Sequence, residues 1–323
     1  MGIHRNSKTM KLMEPLTPEQ EDNILAEVGY SRKQLEADVV QLREWLAEQH
    51  HLPPSRLKEK DCFLKTYLTG CKGSIESAKR KLDAYYTYRN CSEIFDNRDP
   101  LHAGYQRVNE LMNVCLLPKL SKSKDLVMVN MALDEDPKKY QYLYNMRRII
   151  QIIEMQMRMP DVMANGICYI IDMKHFTPGH IVLFTPTIVR DMLHLVQKIL
   201  PYRMKGLIFV NAPSYMEIAL NNLIKPFMTS KMKDRFHVFS GGHEEFYKFV
   251  DRSVLPKEFG GDEPATLREL TKAWAEKEVS ERDWFLGDLS ERTDESKRVN
   301  LEYSMSSDPI FGVHGTLKKL VID

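Results

Sequence analysis

Residues 166–211 read GICYIIDMKHFTPGHIVLFTPTIVRDMLHLVQKILPYRMKGLIFVN, and this stretch decides the fold. It begins with a nearly all-apolar run that ends at a charge, Gly166–Asp172, which is the pattern of a β-strand buried on both faces. A helical segment, Thr187–Ile199, separates this run from a second buried strand, Gly206–Asn211. Two buried strands joined by a helix predict a crossover unit in a parallel sheet.

The same alternation of strands and helices continues on both sides of this stretch. Lys124–Asn130 is strand-like and is followed by a long amphipathic helix that ends near Met159. Downstream, a helix spans roughly Ser214–Met228, and Phe236–Phe239 is a third short strand. The sequence therefore predicts an α/β fold with a mainly parallel sheet.

The first part of the chain is predicted to be all-helical. Thr17 with Gln20, and Ser31 with Gln34, make capping-box patterns ahead of apolar runs with helical spacing. From about Glu263 the chain is again charged and helical, and it ends in a polar linker and a short apolar tail. The predicted parts are a helical N-terminal domain over residues 1–100, an α/β domain over residues 101–262, and a C-terminal helix and tail over residues 263–323.

Composition bounds the class of protein. With 43% apolar and 28% charged residues, the chain has the make-up of a folded globular protein. A formal net charge of +1 argues against nucleic-acid binding through a field over the whole surface. Five cysteines without a C-x-x-C pair favour free thiols in a reducing compartment. With no apolar leader and no run of about 18 apolar residues, we expect a soluble, cytoplasmic protein.

The common catalytic motifs are missing from the sequence or incomplete in it. The sequence has no G-x-G-x-x-G after a strand, no P-loop and no G-x-S-x-G elbow. His243 and Glu244 resemble the start of a zinc-protease helix, but Tyr247 stands where the second histidine ligand would be. His175, His180 and His194 lie near one another in the sequence, but His180 and His194 are not one helical turn apart, so the spacing does not favour a metal site. We therefore expect no enzyme activity, no metal and no cofactor.

A series of motifs follows in a fixed order along the chain. They are the strand ending at Asp172, Phe184-Thr185-Pro186, Pro201–Gly206, Asn211-Ala212-Pro213, Lys225-Pro226-Phe227, Lys231–Arg235 and Leu255–Gly261, with Phe63-Leu64-Lys65 and Ala78–Arg89 upstream. Together these motifs resemble the CRAL-TRIO lipid-binding family over about residues 30–280. The resemblance is nearest to the subgroup of the α-tocopherol transfer protein and the cellular retinaldehyde-binding protein, and the tail at residues 311–320 is similar to that of the insect members.

The resemblance implies a monomeric, non-enzymatic carrier that binds one small hydrophobic lipid, such as a tocopherol or retinoid, and moves it between membranes. In the family, the helix that matches residues 214–228 is a mobile gate over the ligand cavity. Here Met216, Leu220, Leu223 and Phe227 make an apolar stripe along it. Periodicity alone favours an ordinary amphipathic helix packed on the sheet, whereas the resemblance favours the gate.

From the fold implied by the resemblance, we expect the cavity wall to come from the long helix, the buried strands, the helix after residue 186 and the gate. Each residue taken alone also fits a plain core position. The predicted ligand-binding residues are Ile149, Ile150, Ile153, Ile167, Phe184, Ile188, Met192, Val196, Leu207, Phe209, Leu223 and Phe227.

A local basic cluster predicts membrane contact. The resemblance carries phosphoinositide binding over to Arg203, Lys205, Lys231 and Arg235, so we expect peripheral, reversible docking on an anionic surface. A further arginine of the family corresponds here to Tyr67, so the head-group site is incomplete. The alternative function is a phosphoinositide-dependent adaptor or trafficking regulator without net transfer. An α/β oxidoreductase or hydrolase lacks a supporting motif, and the sequence leaves the lipid unidentified.

Overall fold

A five-stranded sheet forms the centre of the protein, seen in a computed structural model that describes residues 11–241 and 243–299. The tail at residues 311–320 lies outside the described residues. The strands follow the chain in order across the sheet, and all neighbours are parallel except the first pair. They are β1 (Met112–Leu116), β2 (Asp125–Ala132), β3 (Gly166–Asp172), β4 (Met204–Val210) and β5 (Phe236–Val238).

The mainly parallel sheet predicted from the sequence is confirmed, and its central strands are as buried as their apolar composition indicates. Ile170 of β3 pairs with Val129 of β2 on one side and Ile208 of β4 on the other, and all three are fully buried. Strand β1 was not predicted from the sequence, because it follows directly on a helix without a turn residue between them.

Helices surround this sheet, and the N-terminal region is helical as predicted. The predicted Thr17 cap is present, because the Thr17 hydroxyl accepts the backbone N–H of Gln20 at 3.2 Å. The α-helices are α1 (Pro18–Glu27), α2 (Arg32–Glu48), α3 (Asp61–Gly70), α4 (Ile75–Tyr88), α5 (Ala103–Leu111), α6 (Tyr142–Met157), α7 (Pro178–Ile181), α8 (Pro186–His194), α9 (Ser214–Leu223), α10 (Ser230–Lys233), α11 (Leu267–Ser280) and α12 (Arg282–Gly287).

The segment predicted as one helix over residues 214–228 is in fact shorter. Helix α9 ends at Leu223, and a separate 3-10 turn, Lys225–Phe227, follows it. Pro226 explains the break, since proline has no N–H to donate and disfavours helical backbone at the residue before it. Within residues 214–228, only Ser214–Leu223 therefore forms a regular α-helix.

Four buried charges join α6 to the N-terminal helices and to the C-terminal segment. The Glu154 carboxylate in α6 is paired with Arg98 and lies 3.2 Å from a guanidinium nitrogen of Arg89. Asp288 lies 2.7 Å from Arg89 and 2.9 Å from Arg98, and the Tyr85 hydroxyl donates to Glu154 at 2.5 Å. Although burial raises the pKa of Glu154, the two guanidinium groups and this bond outweigh it and hold the pKa below its usual value.

Glu154→Gln should lower the free energy of unfolding by about 3 kcal/mol, because it leaves two buried guanidinium groups under-compensated. Urea denaturation of the whole chain measures this loss. The matched control is Glu110→Gln, whose ion pair with Arg107 is exposed and should change stability by less than about 0.5 kcal/mol. Equal effects of the two substitutions would contradict the role given to Glu154.

Candidate functional site

An apolar cavity of about 120 Å³ lies between one face of the sheet and three helices. Register explains the shared face, since Met128 pairs with Tyr169, and Tyr169 pairs with Leu207. The helices contribute residues three or four apart, which places them on one side of each helix. These are Met146, Ile149, Ile150 and Ile153 of α6, Val189, Met192 and Leu193 of α8, and Met216, Ala219, Leu220 and Leu223 of α9.

The structure brings together ten of the twelve predicted ligand-binding residues on this wall. Ile188 lies outside it, because α8 turns Val189 and Leu193 toward the cavity instead. Phe227 is also outside and is 40% exposed, because it follows the break after α9. The remaining ten are Ile149, Ile150, Ile153, Ile167, Phe184, Met192, Val196, Leu207, Phe209 and Leu223, and ligand binding by them stays a prediction.

Methionine is unusually frequent in the wall. Eight of the 18 methionines of the chain line the cavity. A thioether side chain with three rotatable bonds adapts its shape more easily than a branched one. This matters because an engineered cavity of roughly 150 Å³ admits only a molecule the size of benzene. Binding a longer lipid therefore requires the wall to rearrange, and the methionines make that less costly.

Helix α9 is held at the cavity by one polar contact among the described residues near its start. The Tyr215 hydroxyl donates to the Phe176 carbonyl at 2.9 Å, which joins the helix to the loop after β3. The outer side of this region is apolar, with Val182 79% exposed and Ile218 67% exposed. Tyr215 and Phe227 are exposed to a smaller extent, and we call these four apolar residues the apolar rim.

Asp172 and Asn211 connect the two loops that flank this region. They end neighbouring parallel strands, and the Asn211 side-chain amide donates to the Asp172 carboxylate at 2.9 Å. The same carboxylate oxygen accepts the backbone N–H of Lys174 at 2.9 Å. Asn211 adopts a positive φ of 53°, a conformation that asparagine tolerates better than most residues. The motif residues quoted from the sequence thus position the loop before α7 and the start of α9.

Polar side chains also line the cavity, and they were not predicted as lipid contacts from the sequence. None of the described lining residues is Asp, Glu, Lys or Arg. His180 lies in the wall, whereas His175 is near Glu135 and His194 is near Tyr88. The described residues hold no group of His, Cys, Asp and Glu side chains that suits a metal ion. The polar members of the wall are Asn130, Tyr140, Tyr142, Asn145, Tyr169, His180 and Tyr202.

The four predicted basic residues lie in one another's electrostatic field. The positive charge of Arg235 lowers the pKa of Lys231, and burial and the cations Lys72, Arg203 and Lys205 act in the same direction. Lys72 comes from the N-terminal helical region and is exposed, as is Lys231. We call these five residues the basic cluster. It adjoins the cavity, because Met232, next to Lys231, is part of the wall.

Two carboxylates offset part of this charge, and neither is in the segment from which the cluster was predicted. Glu27 of α1 lies 3.8 Å from Arg203 and 3.4 Å from Lys205. Asp125 of β2 lies 3.8 Å from Lys205. Burial, with a smaller contribution from Glu27, raises the pKa of Asp125 to about 6 despite the nearby cations.

Tyr67 cannot replace the arginine of the family as a head-group contact. Its side chain is fully buried and packs against Phe63 with ring centroids 5.1 Å apart. Burial raises the pKa of its hydroxyl well above the usual value, so the group stays neutral. The exposed Lys72 is the cation that the N-terminal region supplies to the cluster.

Comparison with known proteins agrees with this architecture. A family model described as the CRAL/TRIO domain matches residues 113–261, and a second, described as the Pinta-like UBA domain, matches residues 31–105. Residues 113–261 therefore have the fold of a CRAL/TRIO domain and follow a helical N-terminal region, as the sequence resemblance implied. The described residues contain no helix long and apolar enough to cross a membrane.

Clavesins are among the relatives found by sequence. Clavesin-1 of Pongo abelii is 26% identical over 263 residues, which cover 80% of this chain and 72% of that protein. Clavesin-2 of Homo sapiens is 25% identical over 247 residues, covering 76% and 75%. The crystal structure of Sfh5 matches 79% of this chain and 99% of its own with a TM-score of 0.51 and 13% identity, a likeness of fold alone. These comparisons do not support the narrower resemblance to the tocopherol and retinaldehyde carriers.

The raised pKa of Asp125 predicts a pH effect on stability. A carboxyl whose pKa is raised by folding contributes stability at low pH, and this contribution is lost as pH rises from about 4 through about 6. Relative to Asp125→Asn, the wild-type chain should lose roughly 2 kcal/mol between pH 4 and pH 7. Urea denaturation across this range measures the difference, and parallel curves for the two proteins would contradict the assignment.

Proposed function

We propose that the protein binds one small hydrophobic lipid in the cavity and transfers it between membranes without chemical change. The observation that carries this proposal is the apolar cavity closed by α9, with no charged side chain in its wall. A lipid of about twenty carbons faces a barrier of more than about 10 kcal/mol on entering water, at roughly 0.8 kcal/mol per methylene. An enclosed apolar site removes that barrier from the transfer path.

Membrane docking through the apolar rim and the basic cluster completes the proposal. The rim exposes Val182 and Ile218 next to the helix that closes the cavity, so contact with a bilayer favours the displacement of α9. Each cation near an anionic surface contributes about 1 kcal/mol, which gives reversible attachment by a few residues. Glu27 and Asp125 reduce this attraction, so we expect moderate docking on general anionic lipids, with phosphoinositides as stronger ligands.

Filling the cavity should abolish lipid retention. Ala219 faces the cavity from α9, and Asn222, three residues later, is exposed. After incubation with liposomes and reisolation, native mass spectrometry should find bound lipid in the wild type and in Asn222→Phe, and little in Ala219→Phe. Thermal unfolding of both variants checks that they fold. If the wild-type chain extracts no lipid, the carrier proposal is contradicted. If the chain is recruited to liposomes without transferring lipid, the result favours the adaptor alternative.

Removing the apolar rim should weaken docking. Val182→Ser with Ile218→Ser should lower the affinity for phosphatidylcholine–phosphatidylserine vesicles by about tenfold or more, because each side chain contributes about 1 kcal/mol when it enters lipid. Val279→Ser is the control, since Val279 is also an exposed apolar residue, 40% exposed, and lies on α11 and not in the rim. Vesicle co-sedimentation measures the affinity. Equal losses in both variants would argue against docking through the rim.

The basic cluster is tested by the pair Lys231→Met and Lys272→Met. Both lysines are exposed, but only Lys231 lies in the cluster. We expect Lys231→Met to weaken binding to vesicles that contain phosphatidylinositol bisphosphate by about fivefold at low salt, and Lys272→Met to have little effect. If the two lysines contribute equally, the attraction comes from overall charge and not from the cluster.

A further inference from the structure

Four residues of the cavity wall carry a buried polar atom without a hydrogen-bond partner among the described residues. They are the side-chain carbonyl oxygens of Asn130 and Asn145, the hydroxyl of Tyr140 and the Nε2 atom of His180. Leaving such an atom unpaired costs about 1–3 kcal/mol, and buried polar atoms in folded proteins nearly always have a partner. Four of them in one otherwise apolar wall indicate a ligand or a water that binds there.

These four residues lie at the same end of the cavity. Asn130 is near the carboxyl end of β2, and Tyr140 and Asn145 lie just before and within the first turn of α6. His180 is in α7, which follows the carboxyl end of β3. The carboxyl ends of parallel strands meet at one edge of a sheet, and the rings of Tyr140 and His180 are in edge-to-face contact with centroids 4.7 Å apart. We call this set the polar end.

The surroundings of His180 define which of its ring nitrogens carries a proton. Nδ1 accepts the backbone N–H of Thr177 at 3.0 Å, so its lone pair is occupied. Burial lowers the pKa of His180 below its usual value of 6.5, and the residue is 1% exposed, so the ring is neutral at pH 7. A neutral imidazole with an accepting Nδ1 has its proton on Nε2. His180 therefore presents an N–H donor to the cavity.

We propose that the polar end binds the hydroxyl group of an uncharged lipid alcohol, a proposal that rests on the carrier function above. The His180 Nε2–H donates to the ligand oxygen, and the ligand hydroxyl donates to the side-chain oxygen of Asn130 or Asn145. A hydroxyl satisfies both kinds of partner, whereas an aldehyde or ester only accepts. A carboxylate or phosphate has no cation in the wall to compensate its charge, so its burial is unfavourable.

Three probes of equal length test this proposal with the full chain: dodecanol, dodecane and dodecanoate. Competition against an apolar fluorescent dye measures their affinities. We expect dodecanol to bind about tenfold more tightly than dodecane, because one or two buried hydrogen bonds contribute a binding free energy of that size. We expect dodecanoate to bind more weakly than dodecanol. Equal affinities for dodecanol and dodecane would overturn the proposal, since they would mean that water alone binds the polar end. Tighter binding of dodecanoate than of dodecanol would overturn it as well.

Two substitutions separate recognition from folding. His180→Asn keeps an acceptor for the Thr177 N–H but loses the Nε2 donor, and Tyr140→Phe removes only a hydroxyl. His180→Asn should lower the affinity for dodecanol about tenfold more than it lowers the affinity for dodecane, and Tyr140→Phe should show a smaller difference between the two probes. Loss of both affinities to the same extent would mean that His180 only maintains the wall, which contradicts the proposal.

The ring nitrogens give a readout that does not depend on any variant. In ¹⁵N spectra, the His180 Nε2–H signal should shift on addition of dodecanol and stay in place with dodecane; no shift with either overturns the hydrogen bond to the ligand. If none of the three probes binds at all, the carrier function itself fails. Binding without a preference for dodecanol leaves that function intact and removes only the polar end as its specificity site.

Discussion

The fold depends on the burial of four charges that satisfy one another. Glu154 belongs to the helix that forms one wall of the cavity, and its partners Arg89 and Arg98 come from the N-terminal region, while Asp288 comes from the end of the chain. A buried charge is tolerated only where its partners are fixed. The network therefore ties the position of α6, and with it one side of the cavity, to segments far away in sequence.

The strands were predictable because each central strand is a short apolar run that ends at a polar residue. β3 begins and ends where the sequence pattern indicated. β1 was missed because Met112–Leu116 continues a helical pattern without a break, and only its pairing with β2 makes it a strand. The predicted gate helix was too long because the apolar spacing continues past Pro226, where backbone geometry overrides it.

The apolar part of the candidate site was predictable from the family resemblance and from helical spacing, but the polar and electrostatic parts were not. Asn130 and His180 reach the cavity through the edge of the sheet, which no local pattern encodes. Likewise, Glu27 lies more than a hundred residues from Arg203 and Lys205, so only the folded chain shows how far it offsets the basic cluster. Charge counted along a segment overestimates the field that the folded surface presents.

The hydrogen bond between the Tyr215 hydroxyl and the Phe176 carbonyl joins α9 to the loop that precedes α7, the helix of His180. The Phe176 ring lies against His180, with centroids 4.9 Å apart, so the loop that accepts the tyrosine hydroxyl also orients the imidazole. An outward movement of α9 would break this hydrogen bond, and the loop would lose its contact with the helix at the same time. In the transfer cycle proposed above, a bound lipid would then lose its cover and its polar anchor in a single step, which would couple its release to contact with a membrane.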